Sequence, residues 1–342
     1  MSRIFDAIRR AEQQRQDALA EPVRTDPAWD ERRFRVVGVT SNKGGVGKTT
    51  LATNLAIYAR ALHEAMPVLA LGLDDQTTLD RTFALDPSGA GLRARSKGRG
   101  DAAAFPGATA NGHGDDLARA FDAGDLRSVV RLGQYGVEWV PSTRDLGPIK
   151  QRPDVSGDLR RLLRSADREG LVVLDTKSDF ESLTRAAIDA SDLVLVVIKD
   201  QASLIEAERV FDHLAARGRP AETARLVLSL VDLRVKYQDG AEADVLAHLV
   251  GEIRRAGHPL LGTFVSRSPK VEALHTQPGG RALSILHGAT GSIVHGQMRS
   301  LCEEVLELVG LPFAASPAPC RDTAPVQAST PTIPGPTRRS RL

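Results

Sequence analysis

The sequence predicts an α/β fold in which helices cover both faces of a doubly wound, mostly parallel β-sheet. Short runs rich in Val, Ile and Leu alternate along the chain with longer segments of helical periodicity. Most of these runs are continuously apolar, which is typical of strands buried on both faces. The alternation of strands and helices favours parallel strands joined by helical crossovers within one sheet.

Seven runs are predicted strands, and helical periodicity is clearest in four segments between them. The strands cover residues 35–40, 68–73, 137–140, 171–174, 193–198, 225–231 and 260–265. The helices cover residues 49–62, 182–190, 203–217 and 241–256. Each of these helices follows a predicted strand, which is the order that a doubly wound sheet requires.

Composition divides the chain into three parts. Residues 1–32 form an extension that begins with a short amphipathic helix. Residues 33–311 are the predicted domain, interrupted at 86–116 by a basic, Gly- and Ala-rich insert that is too poor in apolar residues to fold. Residues 312–342 are rich in proline, and we expect a disordered tail there.

Charge and cysteine content exclude several classes of protein. The chain carries 45 Lys and Arg residues against 43 Asp and Glu residues, so its formal charge of +2 creates no strong overall field towards nucleic acid or membrane. No apolar run reaches the roughly 18 residues of a membrane span. Cys302 and Cys320 have neither zinc spacing nor the pattern of a disulfide scaffold. The sequence therefore predicts a cytoplasmic protein.

A glycine-rich loop follows the first predicted strand and precedes a predicted helix. Its sequence, K-G-G-V-G-K-T-T, lets backbone N–H groups turn towards phosphate oxygens, and the helix N-terminus adds partial positive charge. We expect Lys48 to face solvent and to reach the β- and γ-phosphates of a nucleotide, and Thr49 to bind Mg²⁺. Asn42 replaces the first glycine of the general pattern G-x-x-x-x-G-K-[ST]. The predicted nucleotide-binding residues are Lys43, Gly44, Gly45, Val46, Gly47, Lys48, Thr49 and Thr50.

A carboxylate follows the apolar strand at residues 171–174. Asp175 comes directly after four apolar residues, and the carboxyl ends of parallel strands meet at one edge of a sheet. Carboxylate oxygens are preferred ligands of Mg²⁺. The sequence therefore places Asp175 in the Mg²⁺ shell, with an ordinary helix-capping aspartate as the alternative.

The loop from Lys43 to Thr50 resembles the deviant Walker A loop of the ParA/MinD family of partition and positioning ATPases. The resemblance extends over residues 33–311 and implies a P-loop NTPase fold. In that family the first lysine of the loop crosses a homodimer interface to the nucleotide of the other subunit, which is the role implied for Lys43. The segments 228–234 and 264–270 are similar to family segments near the adenine and near the DNA-facing surface.

Residues 68–76 resemble the switch segment of that family, D-x-D-P-Q. Asp74 matches the second aspartate, which is associated with positioning the attacking water. Gly72 stands where the first aspartate belongs, and Asp75 replaces the proline. The family also usually continues with prolines after the aspartate that matches Asp175, where this chain has Thr-Lys-Ser.

The resemblance implies a switch that depends on ATP and Mg²⁺, with Lys43, Lys48 and Asp74 as catalytic residues. ATP would close a homodimer that binds DNA nonspecifically, and a ParB-like or cargo-adaptor protein would stimulate slow hydrolysis and release. The expected DNA contacts are Arg267, Lys270 and Arg281, in a region with a net charge of about +3 that a solvated surface would also explain. Membrane contact is not expected, because the Pro-rich tail lacks an apolar face.

Two other functions remain open from the sequence. The first twelve residues resemble the start of bacterial tyrosine kinases of polysaccharide export, but the tyrosines Tyr58, Tyr135 and Tyr237 all lie outside the tail, where those kinases carry a tyrosine cluster. A scaffold that binds ATP without hydrolysing it is the second alternative, and Gly72 favours it.

Overall fold

The structure, a computed structural model, describes residues 27–76, 78–84, 116–232, 245–274 and 283–311. The strands are β1 (Phe34–Thr40), β2 (Val68–Leu73), β3 (Arg131–Leu132), β4 (Glu138–Val140), β5 (Gly170–Thr176), β6 (Leu193–Ile198), β7 (Ala224–Val231) and β8 (Val265–Ser266). The helices are α1 (Pro27–Asp30), α2 (Lys48–Leu62), α3 (Thr78–Phe83), α4 (Leu117–Ala123), α5 (Gly147–Lys150), α6 (Val155–Ser165), α7 (Ser182–Ala190), α8 (Gln201–Ala216), α9 (Val245–Ala256), α10 (Pro269–Ala273), α11 (Ile285–Gly288) and α12 (Ile293–Leu308).

The described strands form one eight-stranded sheet in the order β3-β4-β2-β5-β1-β6-β7-β8. Neighbouring strands are parallel except β3 and β4, which pair antiparallel at one edge. The predicted doubly wound, mostly parallel α/β sheet is therefore confirmed. Strands β2 and β6 have the predicted bounds, and every residue in both is buried.

The two faces of the sheet are covered by different helices. Val37 and Val39 of β1 belong to an apolar core with α2 and α12, whereas Val36 belongs to a core with α4, α6 and α7. A third core packs α8 and α9 against β6 and β7, and it includes Ile188 of α7. The apolar runs are continuous because both faces of these strands need apolar side chains.

The predicted strand at 260–265 is wrong over most of its length. Leu260 makes an isolated bridge to Leu226, and a strand forms only at Val265–Ser266. Between these points the backbone N–H groups of Gly262 and Thr263 donate to the Glu304 carboxylate of α12 at 2.7 and 3.1 Å. Leu261 N still donates to the Leu226 carbonyl at 3.0 Å, so the pairing with β7 is interrupted between Leu261 and Val265.

Several predicted segments lie outside the described residues. They include the helix at the start of the extension, residues 86–115 of the insert and the tail from residue 312. Within the described part of the chain, no helix combines the length and the apolar character needed to cross a membrane.

The topology brings four segments together at the carboxyl edge of the central strands. The glycine-rich loop follows β1, Asp74 follows β2, Asp175 lies near the end of β5, and Asp200 follows β6. Strands β2, β5, β1 and β6 are consecutive neighbours in the sheet. Crevices at this edge are the usual ligand sites of open α/β sheets.

Candidate nucleotide-binding site

The glycine-rich loop turns through two glycines with left-handed backbone angles. Gly45 has φ 69° and Gly47 has φ 89°. Residues with a Cβ rarely adopt backbone angles in this region. Gly47 is the N-cap of α2, and its carbonyl accepts the hydrogen bond from Leu51 N at 2.9 Å. A Cβ on Gly44 or Gly45 would meet no atom within 4 Å, so open space lies beside the loop. The backbone therefore forms a cradle in front of a helix N-terminus, as phosphate binding requires.

Lys48 is buried, with a relative exposure of 5%, so the expectation that it faces solvent is wrong. Its Nζ lies 3.3 Å from Asp175 Oδ1 and also donates to the Thr176 carbonyl. The end of β5 lies directly beneath the loop and supplies both acceptors. Lys48 is thus held at the floor of the cradle.

Asp175 lies within β5 and is fully buried, which excludes the helix-capping alternative. Burial raises the pKa of its carboxyl group, and the charge of Lys48 and hydrogen bonds from Thr49 and Lys48 oppose that rise. The hydroxyl of Thr49 and the carboxylate of Asp175 therefore lie within hydrogen-bonding distance of each other beside the loop.

Asp74 caps the turn that follows β2. Gln76 N donates to Asp74 Oδ1 at 3.0 Å, so the Asp74 carboxylate stabilises this turn at the edge of the sheet. Burial raises the pKa of Asp74, while the hydrogen bond from Gln76 and the charge of Lys48 act against the rise. Because β2 and β5 are neighbouring strands, the end of β2 places Asp74 at the same edge of the sheet as Lys48 and Asp175.

Three residues at this edge have roles that the sequence did not indicate: Lys177, Lys199 and Asp200. Asp200 begins α8 as its N-cap and accepts a hydrogen bond from Lys43 Nζ at 2.7 Å. Lys199 Nζ donates to the Gly45 carbonyl at 3.3 Å. The signal that could have found Lys199 and Asp200 is their place directly after an apolar strand of the same sheet edge.

The residues expected to contact DNA lie apart from the loop, beyond β8. Arg267 Nε donates to Glu272 at 2.9 Å, and Lys270 Nζ donates to the Thr290 carbonyl at 3.3 Å. Both side chains are on an exposed segment that includes the short helix α10. Arg281 lies outside the described residues.

The residues at this edge fit a nucleotide and Mg²⁺. The open cradle and the Lys48 ammonium group suit phosphates, and Thr49 and Asp175 are hard oxygen ligands. The described residues contain no cluster of three or more His, Cys, Asp or Glu side chains that could hold a metal ion.

A family model described as CbiA, the CobQ/CobB/MinD/ParA nucleotide binding domain, matches residues 37–277. The match spans most of the chain and includes the loop, Asp74 and Asp175. The chain belongs to this family. The description of the CobQ/CobB/MinD/ParA family names a nucleotide as its ligand.

Individual relatives agree with this assignment. The chain is 28% identical over 285 residues to the chromosome-partitioning ATPase Soj of Thermus thermophilus, covering 81% of this chain and 97% of that one. The fold is similar to that of a ParA family ATPase from Chlorobium tepidum, with a TM-score of 0.57, 16% identity and coverage of 79% and 98%. It is also similar to cobyrinic acid a,c-diamide synthase from Mycobacterium smegmatis with a bound ATP analogue and magnesium, with a TM-score of 0.56, 16% identity and coverage of 82% and 100%.

Gly72 has a steric reason in this member of the CobQ/CobB/MinD/ParA family. A Cβ at this position would lie 2.8 Å from Ser142 Oγ and 3.6 Å from the Leu79 Cβ. Ser142 in turn donates to Asp80 of α3 through its Oγ at 3.0 Å and its N at 3.1 Å. Burial raises the pKa of Asp80 to about 6, although these hydrogen bonds oppose the rise. The Asp80 carboxyl group therefore binds the same Ser142 side chain that a Cβ at position 72 would contact.

Proposed function

We propose that this protein is a ParA-like ATPase that acts as an ATP-dependent dimerisation switch in chromosome or plasmid partition, or in the positioning of another intracellular cargo. The observation that carries the proposal is that one glycine-rich loop holds two lysines, Lys43 and Lys48. Asp74 and Asp175 lie at the same edge of the sheet as this loop. The match to a partition ATPase over 97% of its length supports the cellular role.

In this proposal the residues of the cradle divide the work of ATP hydrolysis. Lys48 and the backbone N–H groups of the loop hold the phosphates, and Thr49 and Asp175 hold Mg²⁺. The metal ion, when bound, neutralises charge that develops on the phosphate oxygens. Asp74, which follows the neighbouring strand β2, orients the attacking water. Catalysis then consists of positioning and electrostatic stabilisation.

The position of Lys43 suits a residue that changes partners on dimerisation. Its ion pair with Asp200 is partly solvated, with side-chain exposures of 34% and 40%. Ion pairs of this kind contribute about 0–1 kcal/mol. Lys43 can therefore leave Asp200 at small cost and reach the nucleotide of a second subunit, where a phosphate is a more highly charged partner.

The remaining parts of the proposal concern partners and organisation. A closed dimer would bind DNA nonspecifically through the segment that contains Arg267 and Lys270, and a ParB-like or cargo-adaptor protein would stimulate slow hydrolysis. We place the ATPase domain at residues 33–311, with the extension and the Pro-rich tail as flanking segments, and we place the protein in the cytoplasm.

The experiment is light scattering after size exclusion, with Mg²⁺ and either ATP or a non-hydrolysable analogue, together with measurement of phosphate release. We expect the parent to dimerise with the analogue and to release phosphate slowly. Lys43→Ala should bind nucleotide with unchanged affinity but stay monomeric, because the contact it removes is made only in the dimer. Arg33→Ala, which removes an exposed arginine near Glu169, is the matched control and should dimerise like the parent.

Three outcomes would contradict the proposal. A Lys43→Ala protein that dimerises like the parent would remove the role of the signature lysine. Dimerisation without phosphate release, even at long times, would favour the ATP-binding scaffold. Transfer of phosphate from ATP to Tyr58, Tyr135 or Tyr237 would favour the tyrosine-kinase alternative.

A further inference from the structure

An ion pair connects the turn after β2 to the end of β5. Lys177 Nζ lies 2.7 Å from Asp75 Oδ2, and Lys177 is the first residue after β5. The two strands are direct neighbours, with Leu73 opposite Thr176. The pair therefore bridges two adjacent strand ends at the edge where the nucleotide is proposed to bind.

The contacts continue from Asp75 to Asp74. The second oxygen of Asp75, Oδ1, accepts a hydrogen bond from Gln76 Nε2 at 3.1 Å. The backbone N–H of Gln76 donates to Asp74 Oδ1 at 3.0 Å. Lys177, Asp75, Gln76 and Asp74 thus form one chain of contacts that begins on β5 and ends at the carboxylate proposed to orient water.

We propose that Lys177 is a positioning residue: through Asp75 it holds the 74–76 turn against the end of β5 and so keeps Asp74 in place for ATP hydrolysis. This inference rests on the proposed function, because it assigns Lys177 a part in the same reaction. Lys177 acts through Asp75 and need not touch the nucleotide.

Two departures from the family pattern give a physical reason for an ion pair that holds this turn. The switch segment that residues 72–76 resemble has a proline where this chain has Asp75, and proline fixes the backbone angle φ near −65°. A turn without this proline has more backbone freedom to lose. Prolines also usually follow the aspartate that Asp175 matches, where this chain carries Lys177 among its next residues. Two departures from the family pattern are therefore residues of opposite charge, and they meet.

The expected effect of the pair is local rather than global. The Lys177 and Asp75 side chains are 35% and 31% exposed, and partly solvated ion pairs contribute little to overall stability. A three-residue turn at a strand end opens without unfolding the sheet, so one anchoring contact changes its open population directly. The informative measurement is therefore how often the 74–76 turn opens, and not the unfolding free energy of the whole protein.

The first measurement is backbone amide hydrogen exchange at Gln76 in the full chain without nucleotide. Lys177→Met should speed this exchange by about threefold or more, because the turn opens more often. The matched control is Arg168→Met, since Arg168 and Glu138 form a comparable ion pair between β4 and the segment before β5, at the opposite end of the strands. Arg168→Met should leave exchange at Gln76 unchanged.

The second measurement is steady-state hydrolysis of Mg-ATP. Lys177→Met should lower kcat by roughly tenfold to a hundredfold, as expected for a misplaced catalytic group, with KM for ATP nearly unchanged. Lys177→Arg, which can still pair with Asp75, should restore most of kcat. Asp75→Asn combined with Lys177→Met should cost no more than either substitution alone, because both remove the same contact.

The outcomes separate this inference from the proposed function. Unchanged exchange and unchanged kcat in Lys177→Met, in a parent that hydrolyses ATP, would overturn the inference and leave the proposed function intact. An increase in KM with kcat unchanged would make Lys177 a nucleotide-binding residue and would also overturn it. If the parent does not hydrolyse ATP, the proposed function fails, and the exchange measurement alone still decides whether Lys177 holds the turn.

Discussion

Four lysines at the carboxyl edge of the sheet each have an oxygen partner in the chain. Lys43 pairs with Asp200, Lys48 with Asp175 and Lys177 with Asp75, while Lys199 donates to a loop carbonyl. In the proposed function, phosphate binding exchanges these partners at Lys43 and Lys48, whereas the pair between Lys177 and Asp75 persists. The exchange is most consequential at Lys48, because Lys48 and Asp175 are both buried and the Asp175 carboxyl group must then find Mg²⁺ or a proton.

Replacing Lys48 by Met should abolish useful nucleotide binding. The substitution removes the ammonium group at the floor of the cradle, and charge-assisted contacts of this kind correspond to a loss of about hundredfold in affinity. The fold should survive, because burial already raises the pKa of Asp175 and the carboxyl group can hold a proton when its cation is gone. Isothermal titration with Mg-ATP measures the affinity, with Arg168→Met as control. Parental affinity in Lys48→Met would contradict the assignment of the loop.

The contribution of Asp80 to stability should fall as the pH rises from about 4 to about 6. This pKa is about 6 in the folded chain against 3.8 for the free side chain, so the folded state binds the proton more tightly. The resulting stabilisation is full below pH 3.8 and is lost as the pH rises through about 6. Asp80→Asn, which keeps an acceptor for Ser142 N, lacks this dependence.

Urea unfolding of the parent and of Asp80→Asn at pH 5 and pH 7 measures this effect. Between these two values the parent should lose about 1 kcal/mol of unfolding free energy relative to the variant. The comparison cancels the contributions of the other carboxyl groups, which both proteins share. An identical pH dependence in the two proteins would show that Asp80 is ionised in the folded state throughout this range.

At the scale of single elements, a strand can be predicted from the sequence when both of its faces are buried. Strands β2 and β6 were predictable to the residue because both faces are buried, so the apolar run is as long as the strand. Strand β3 has only two residues and neither is fully buried, so no apolar run marks it. The strand predicted at 260–265 is interrupted where Gly262 and Thr263 donate to Glu304, which lies far along the chain and leaves no mark in the local pattern.

Part of the candidate site could be predicted from the sequence and part could not. The loop was predictable because its glycines, Lys48 and Thr49 are consecutive, and their spacing reflects local geometry. The pairs between Lys43 and Asp200 and between Asp75 and Lys177 join residues 157 and 102 positions apart, and no spacing in the sequence encodes them. These contacts depend on which strands are neighbours, which the pattern of apolar runs does not specify.

The close approach of β2 to the segment after β4 predicts the effect of a side chain at Gly72. Gly72→Ala should destabilise the protein by about 1–3 kcal/mol, because its Cβ would lie 2.8 Å from Ser142 Oγ, which hydrogen bonds to Asp80. Ser142→Gly in the same chain should relieve the contact. Urea unfolding of the two single variants and the double variant measures the coupling. Additive effects would show that Ser142 is not what excludes a side chain at this position.

At the scale of the whole molecule, the proposed DNA surface and the proposed nucleotide site occupy different parts of one sheet. The loop follows β1 in the middle of the sheet, whereas Arg267 and Lys270 follow the edge strand β8. Nucleotide binding can therefore change DNA affinity without changing the surface around Arg267 and Lys270, which we call the patch. A dimer presents the patch twice, and two linked patches bind a duplex more tightly than one.

DNA binding should accordingly require ATP and depend on Arg267 and Lys270. Arg267→Glu combined with Lys270→Glu should remove ATP-dependent binding to nonspecific duplex, whereas Glu272→Gln should strengthen it, because Glu272 pairs with Arg267. Deleting residues 89–112 from the insert, whose composition predicts disorder, should only weaken binding, since a disordered segment loses chain entropy with each phosphate contact.

Fluorescence anisotropy with a labelled duplex over a series of salt concentrations tests this placement. Each neutralised phosphate releases counterions, so replacing both residues by Gln on the two subunits should lower the salt slope by up to about four units. Arg33→Glu combined with Arg161→Glu reverses the same amount of charge at exposed positions before β1 and on α6, and it should leave a clear ATP-dependent signal. If the deletion of 89–112 alone ends binding while the reversal at Arg267 and Lys270 changes nothing, the DNA surface lies in the insert. Monomeric and dimeric forms would then differ in DNA affinity only through the number of inserts they present.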